Sequence, residues 1–212
     1  MSHYTVTIVL PEKPKNAGHA EQMISELVAP FDENESVEPY KSYERPLAEN
    51  WRDLEPMKLG WPWSYLRRDM PEVDVEDLHA VAAALTSDEE DAHESERYGV
   101  DEKGLYHMST YNPQSKWDWW TIGGRWSGFY PIEGGMADIV RKGDVIMGEN
   151  VLENIQTYAC LAEGVWKAPG EMVWFGMSTE ADDERDAYSK WFKDFWNGMP
   201  DDAYLAVVDM HI

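Results

Sequence analysis

The presence of a strand-like segment at both ends of the sequence constrains the fold most strongly. In an extended chain, one side of residues 3–10 carries Tyr4, Val6, Ile8 and Leu10. Residues 203–212 are also predicted to be a strand, in which Leu205, Val207, Asp209 and His211 share one side. Such a pattern predicts strands whose successive side chains point to opposite faces of a sheet. We therefore predict a strand at each end and expect the two to pair.

Helical spacing of apolar residues predicts three helices between these strands. The first covers residues 17–29 before Pro30, and the second covers residues 75–85 with Asp74 as its cap. The third follows a cap at Ser178 or Thr179, and its apolar stripe consists of Tyr188, Trp191, Phe192, Phe195 and Trp196.

Two further segments, residues 158–161 and 172–175, are predicted to form a hairpin with residues 163–170 between them. Together the elements predict an α+β fold with a mostly antiparallel sheet, paired terminal strands and helices packed on one face. No repeat and no clear linker divides the sequence, so we predict a single domain over residues 1–212.

The charge balance argues against direct binding to DNA or RNA. The chain has 41 acidic and 18 basic residues, a formal net charge of -23, and a field of that sign repels phosphate backbones. Two interpretations stay open. The acidic surface keeps the protein in solution, or it imitates nucleic acid and occupies a basic host protein.

The cysteine count and the hydropathy of the sequence limit its chemistry and its cellular location. Cys160 is the single cysteine, which excludes an internal disulfide and a cysteine zinc site. No leader sequence and no apolar run of membrane-spanning length is found. We expect a cytoplasmic protein without a membrane partner; if the protein is encoded by a phage, the cytoplasm is that of the host cell.

The densest candidate for a site is the segment of residues 112–128, which has four tryptophans within ten residues. Paired glycines allow a backbone to approach a ligand closely, an arginine fork binds phosphate or carboxylate, and indole faces stack on flat molecules. A core role for the tryptophans and an ion pair between Arg125 and Asp118 is the alternative. The candidate ligand-binding residues are Lys116, Trp117, Trp119, Trp120, Gly123, Gly124, Arg125 and Trp126.

The same segment resembles a family of uncharacterised phage and prophage proteins. The resemblance rests on the motif KWDWWxIGGRW at residues 116–126, on HYTV at residues 3–6, on APFDEN at residues 29–34 and on VDMHI at residues 208–212. Where the family usually has cysteine, this chain has Met210. The resemblance implies a phage setting, in which small accessory proteins often counter host defences; it implies no mechanism.

The last strand offers a second candidate site. Asp209 and His211 share one side of it, roughly 6–7 Å apart. If this strand lies antiparallel beside the first, His3 and Thr5 join them, and the group could bind a metal or move a proton. Oxygen ligands could be added by Asp32, Glu33 and Asn34. A polar sheet face without a function is the alternative.

Two His-x-Thr/Ser triplets begin at His3 and His107. On neighbouring strands, such triplets are typical of two-histidine phosphoesterases, in which the imidazoles act as base and acid.

Three functions follow from these observations. The first is a binding module that holds a small anionic, nucleotide-like ligand between Trp and Arg side chains and sequesters a host defence signal. The second is an acidic inhibitor that docks on a host protein. The third, an enzyme, is a phosphodiesterase or metal-dependent hydrolase that uses His3, Asp209 and His211. The sequence ranks them in this order and specifies no cofactor or metal.

Overall fold

The computed structural model describes residues 3–43, 63–86, 97–170 and 180–212. Contacts between Cα atoms divide the chain into two compact units. The first combines the residues up to Asn34 with Asn112–Ile212, and the second is Glu35–Tyr111. Whether the two units unfold together as one domain is a matter of cooperativity, so the single-domain prediction stays a prediction.

The described residues form eleven strands and five α-helices. The strands are β1 (His3–Leu10), β2 (Tyr40–Tyr43), β3 (Tyr98–Asp101), β4 (Gly104–Ser109), β5 (Trp119–Ile122), β6 (Tyr130–Ile132), β7 (Gly135–Ala137), β8 (Ile139–Arg141), β9 (Ala159–Ala162), β10 (Val165–Lys167) and β11 (Tyr204–His211). The helices are α1 (Ala17–Val28), α2 (Trp63–Asp69), α3 (Leu78–Leu85), α4 (Val151–Asn154) and α5 (Asp182–Gly198).

The first and last strands form the centre of the main sheet, as the alternation predicts. They run antiparallel and pair over eight positions, from His3 opposite His211 to Leu10 opposite Tyr204. The strand order is β10-β9-β1-β11-β5, and β8 also pairs with β11. Among the strands that the structure describes, only β1 and β9 pair in parallel. The α+β class and the mostly antiparallel sheet are therefore confirmed.

Each face of this sheet is covered by its own helix. On one face, Val6, Ile8 and Val208 pack with Met23 and Ile24 of α1. The other face carries a second apolar cluster, whose members include Leu205, Val207, Phe192 and Trp196 of β11 and α5. The expectation that all helices share one face is wrong, because both sides of β11 are apolar over most of its length and both need cover.

The helix ends follow from local chemistry. Asn16 begins α1, since its Oδ1 accepts a hydrogen bond from the His19 N–H at 2.9 Å. At α5 the Ala181 N–H donates to Glu184 Oε2 at 2.8 Å. The predicted caps Ser178 and Thr179 lie outside the described residues. Gly198 is the last residue of α5.

One predicted hairpin has a different second strand. From β9 the chain turns at Glu163 and Gly164, both at positive φ, and returns at once as β10. Two consecutive residues with positive φ form the kind of turn that matches the twist of a hairpin. The turn was mistaken for the beginning of a long loop. The proposed partner, residues 172–175, lies outside the described residues.

The second unit has a three-stranded sheet in the order β2-β4-β3. Leu66, Val81, Ala82 and Leu105 form its buried cluster. The helix predicted from residue 75 begins later, at Leu78, because Asp77 rather than Asp74 accepts hydrogen bonds from the first N–H groups of α3. None of the described helices is long and apolar enough to cross a bilayer.

Replacing Phe192 by alanine tests the packing of α5. Its side chain is fully buried between the helix and the sheet. We expect Phe192→Ala to lower the free energy of unfolding by about 3–5 kcal/mol, the usual cost of a large cavity. Chemical denaturation followed by circular dichroism measures it. Phe195→Ala is the matched control, because Phe195 is only partly buried and stacks on Trp191. Equal losses in the two variants would contradict this packing.

Candidate functional site

A buried carboxylate on β11 holds the first imidazole of the candidate site. His3 Nδ1 lies 2.8 Å from Asp209 Oδ1, and the Asp209 side chain is only 2% exposed. An ionised carboxylate only accepts hydrogen bonds, so in this pair Nδ1 carries the hydrogen and Nε2 is left for another partner. The predicted grouping of His3 with Asp209 is present.

A second pair of the same kind stands beside it. His211 Nδ1 lies 2.5 Å from Asp118 Oδ1. The backbone supports this contact, because the Asp118 N–H donates to the His211 carbonyl at 2.9 Å. Nε2 of His211 is buried and has no hydrogen-bond partner among the described residues. Since a buried polar atom without a partner is unfavourable, this nitrogen is suited to accept a hydrogen bond from a bound molecule.

The two imidazoles face each other across the β1–β11 pairing. Their ring centroids are 5.0 Å apart, and each side chain is 15% exposed. Trp119 of β5 lies opposite His211 in the sheet, and its ring packs edge-on against His3 at 6.1 Å. Trp119 is half exposed and therefore presents an aromatic surface to solvent next to both histidines.

The loop after β5 is built against Asp209. The Arg125 N–H donates to Asp209 Oδ2 at 3.0 Å, so both oxygens of this carboxylate are engaged. Gly124 makes the contact possible: its φ is +53°, and a Cβ atom there would lie 2.5 Å from Asp209 Cβ. The paired glycines thus serve close approach, as predicted, but to a carboxylate of the protein itself.

Asp138 fixes the other end of the same loop. Its Oδ1 accepts hydrogen bonds from the N–H groups of Gly128 at 2.6 Å and Phe129 at 3.3 Å, and its Oδ2 accepts one from Ser127 Oγ at 2.9 Å. Gly123 also passes close by, since a Cβ atom there would lie 2.4 Å from Asp138 Oδ2. Two carboxylates therefore hold the loop of residues 123–129 in one conformation.

Arg125 projects from this loop into solvent. Among the described residues, its guanidinium forms no ion pair. Asp118, the partner considered in the sequence, is bound to His211 instead. The backbone N–H of Arg125 and the His3 imidazole bind the two oxygens of one carboxylate, so the backbone of Arg125 lies close to His3.

The tryptophans of the motif do not enclose one pocket. Trp117 is 8% exposed, packs in the cluster beneath α1 and donates its indole N–H to the Val28 carbonyl at 2.9 Å. Trp120 lies on the same side, opposite Met210. Trp119 points to the other face with the histidines, and Trp126 is partly buried in the loop. Alternation along β5 causes this division.

Lys116 is also engaged on the α1 side. Its backbone carbonyl accepts a hydrogen bond from the Tyr4 hydroxyl, and its N–H donates to the Phe31 carbonyl at 2.8 Å. Next to it, Asn112 Nδ2 donates to the carbonyls of Pro30 and Asp32. These contacts anchor the segment that leads into β5.

A shallow groove lies beside β5 and α1, with a volume of about 430 Å3. Its lining includes Trp120, Gln22 and Glu21 and no cationic side chain. A carboxylate without a cation disfavours an anionic ligand, so this groove is the weaker candidate site.

His107 is not part of the site. It lies on β4, whose neighbours are β2 and β3 in the second unit, whereas His3 lies on β1 in the first. The hypothesis of two His-x-Thr/Ser triplets on neighbouring strands is therefore wrong. Thr5, the third residue of the first triplet, accepts a hydrogen bond from the Tyr158 N–H at 3.1 Å.

Of the three candidate oxygen ligands, Asn34 reaches the site, since its Nδ2 donates to the Asp118 carbonyl at 3.3 Å. Asp32 Oδ1 accepts hydrogen bonds from the backbone and side-chain amides of Asn34, and the Glu33 N–H donates to the Trp117 carbonyl. Across the described ranges, no three His, Cys, Asp or Glu side chains are grouped closely enough to hold a metal ion.

Cys160 is unsuited to nucleophilic chemistry. The thiol is buried in β9, and this burial raises its pKa to about 12. At neutral pH it stays protonated and acts as a small apolar side chain.

Two carboxylates of the site escaped the sequence reasoning. Asp118 was considered only as a partner of Arg125, and Asp138 was not considered. The alternation of β5 could have indicated Asp118, because it immediately precedes Trp119 at the edge of the strand. Nothing in the sequence around Asp138 indicates its contacts with a loop ten residues away.

Comparison with known proteins finds no match: no family model, no curated protein and no solved structure is similar to the chain. The geometry of the site is therefore the main basis for the function proposed below.

Gly124→Ala tests the close approach of the loop to Asp209. The added methyl group would overlap with Asp209 Cβ. The alanine would also have to adopt the left-handed backbone conformation that Gly124 has. We expect a loss of about 1–2 kcal/mol from the backbone and about 1–3 kcal/mol more from the overlap. Denaturant unfolding measures both. Gly134→Ala is the matched control, because Gly134 also has positive φ but has nothing within 4 Å of the added atom. If both variants lose the same stability, the overlap is absent.

Proposed function

We propose that this chain binds a small anionic, nucleotide-like ligand over the face formed by His3, His211, Trp119 and Arg125. The single observation that carries the proposal is the exposed Arg125 guanidinium, without an ion pair among the described residues, on a residue whose backbone N–H binds the same Asp209 carboxylate as the His3 imidazole. The chain as a whole has a net charge of -23, so an anion is drawn to an exposed guanidinium and repelled by most of the surface. Such a group attracts phosphate.

The arrangement also supports a flat ligand. Trp119 offers one half-exposed indole, on which a base can stack for about 1–3 kcal/mol. The proposed contact surface is therefore one stacking ring with cationic and imidazole groups beside it. The sequence led us to expect a pocket formed by all four tryptophans of the motif. The structure does not form it, because Trp117 and Trp120 pack towards α1.

The resemblance to phage and prophage proteins gives the proposal its setting. There, a protein that sequesters a nucleotide signal would silence a host defence. The repulsive field of the acidic surface would disfavour long nucleic acids and leave a short ligand free to reach a local positive site.

Isothermal calorimetry against mononucleotides and linear and cyclic dinucleotides tests the proposal. We expect a nucleotide to bind the wild-type protein, and Arg125→Ala to weaken that binding about 10- to 100-fold, because a charged hydrogen bond contributes about 1.5–3 kcal/mol. Trp119→Ala should lose a similar amount through stacking. Circular dichroism should show both variants folded, since neither side chain lies in the core.

Arg141→Ala is the control for charge. It removes an exposed guanidinium from the same unit, where Arg141 lies near Asp144, and it should leave the affinity unchanged. Equal weakening by Arg125→Ala and Arg141→Ala would mean that net charge, and not this site, governs binding. If the wild-type protein binds none of the nucleotides, the proposal is wrong.

A further inference from the structure

Both imidazoles of the site have a carboxylate partner, which a role in ligand binding alone does not require. Each is held at Nδ1 by a carboxylate, Asp209 for His3 and Asp118 for His211. A carboxylate at Nδ1 fixes the orientation and tautomer of a histidine and leaves Nε2 to exchange protons. A site for binding alone needs hydrogen-bond donors, whereas this one has two oriented proton carriers 5.0 Å apart between ring centroids.

We infer that the site hydrolyses the phosphodiester bond of its nucleotide-like ligand. The inference rests on the proposed function, because the ligand must first bind beside Trp119 and Arg125. Two imidazoles on opposite sides of a phosphodiester can supply a base and an acid, each able to contribute about 100- to 10,000-fold to the rate. Arg125 would stabilise the charge that grows on the phosphoryl oxygens.

His211 is assigned as the base and His3 as the acid. Nε2 of His211 is buried and has no hydrogen-bond partner among the described residues, so its lone pair can take the proton of an attacking water that binds against it. His3 enters the reaction as the imidazolium, with a hydrogen on each ring nitrogen. As the water oxygen bonds to phosphorus, the bond from phosphorus to the leaving oxygen breaks and His3 donates its Nε2 proton to this oxygen; a proton then passes from His211 to His3 before the next turnover. One water is consumed, and one phosphomonoester and one alcohol are formed. Asp118 and Asp209 act as positioning residues.

Cleavage in H2(18)O by the wild-type protein is the first test, with linear and cyclic dinucleotides as substrates and EDTA present. Mass spectrometry should find one heavy oxygen in the phosphomonoester product. Binding without cleavage would overturn this inference and leave the proposed function standing. Absence of binding would overturn both. Cleavage only after a divalent cation is added would overturn the assignment of the two imidazoles as acid and base.

The second test separates the two roles by the leaving group. A nucleoside p-nitrophenyl phosphodiester releases a stable phenolate, which needs little protonation, whereas a dinucleotide releases a strongly basic alkoxide. We expect His3→Gln to lower kcat at least about 100-fold on the dinucleotide but less than about 10-fold on the nitrophenyl ester. His211→Gln should lower kcat at least about 100-fold on both substrates, because both need the base.

The comparison of the two substrates separates loss of the catalytic acid from a general distortion of the site. A variant that merely distorts the site loses activity on both substrates in equal proportion, so equal losses for His3→Gln would overturn the assignment of the acid. Retained nucleotide binding by calorimetry shows that each variant is folded. His19→Gln is the matched control: this histidine lies near Glu12 at the start of α1, outside the site, and should not change either rate.

Discussion

The pairing of β1 with β11 is the contact on which the rest of the structure depends. It joins segments from opposite ends of the sequence at the centre of the main sheet and sets His3 opposite His211. Side chains of these two strands point alternately to the two faces of the sheet. Apolar side chains pack against α1 on one face and α5 on the other, and polar side chains lie at one end of the α5 face. Asp209 is buried at that end, and its two oxygens are satisfied by an imidazole and a backbone N–H. Burial of a carboxylate is tolerable only with such partners.

From this carboxylate the site extends into the glycine-rich loop. Asp209 and Asp138 hold its two ends, so the exposed Arg125 side chain is carried by a backbone of fixed conformation. A rigid support reduces the entropy that a ligand-binding side chain loses on binding. The acidic side chains then have a local structural role, because carboxylates hold the loop and bind both histidines.

The sequence predicted much of the fold because local periodicity carries that information. The terminal strands, α1, the apolar stripe of α5 and the grouping of Asp209 with His211 all follow from spacings of two, three or four residues. The hairpin from β9 was paired with too distant a strand, because Glu163 is an unusual residue at positive φ and its turn is difficult to recognise. The side of the sheet taken by each helix was also missed, since both faces of β11 are apolar.

By itself, the sequence determined which residues share a face and which are extended or helical, because these properties depend on neighbours a few positions away. Only the tertiary structure decided that Asp118 binds His211, that Asp138 ties the loop, and that Trp117 and Trp120 lie on one side of the sheet while Trp119 lies on the other. These arrangements depend on strand register and on contacts between residues far apart in sequence. Register across a sheet is set by the packing of the whole core, which no short segment encodes.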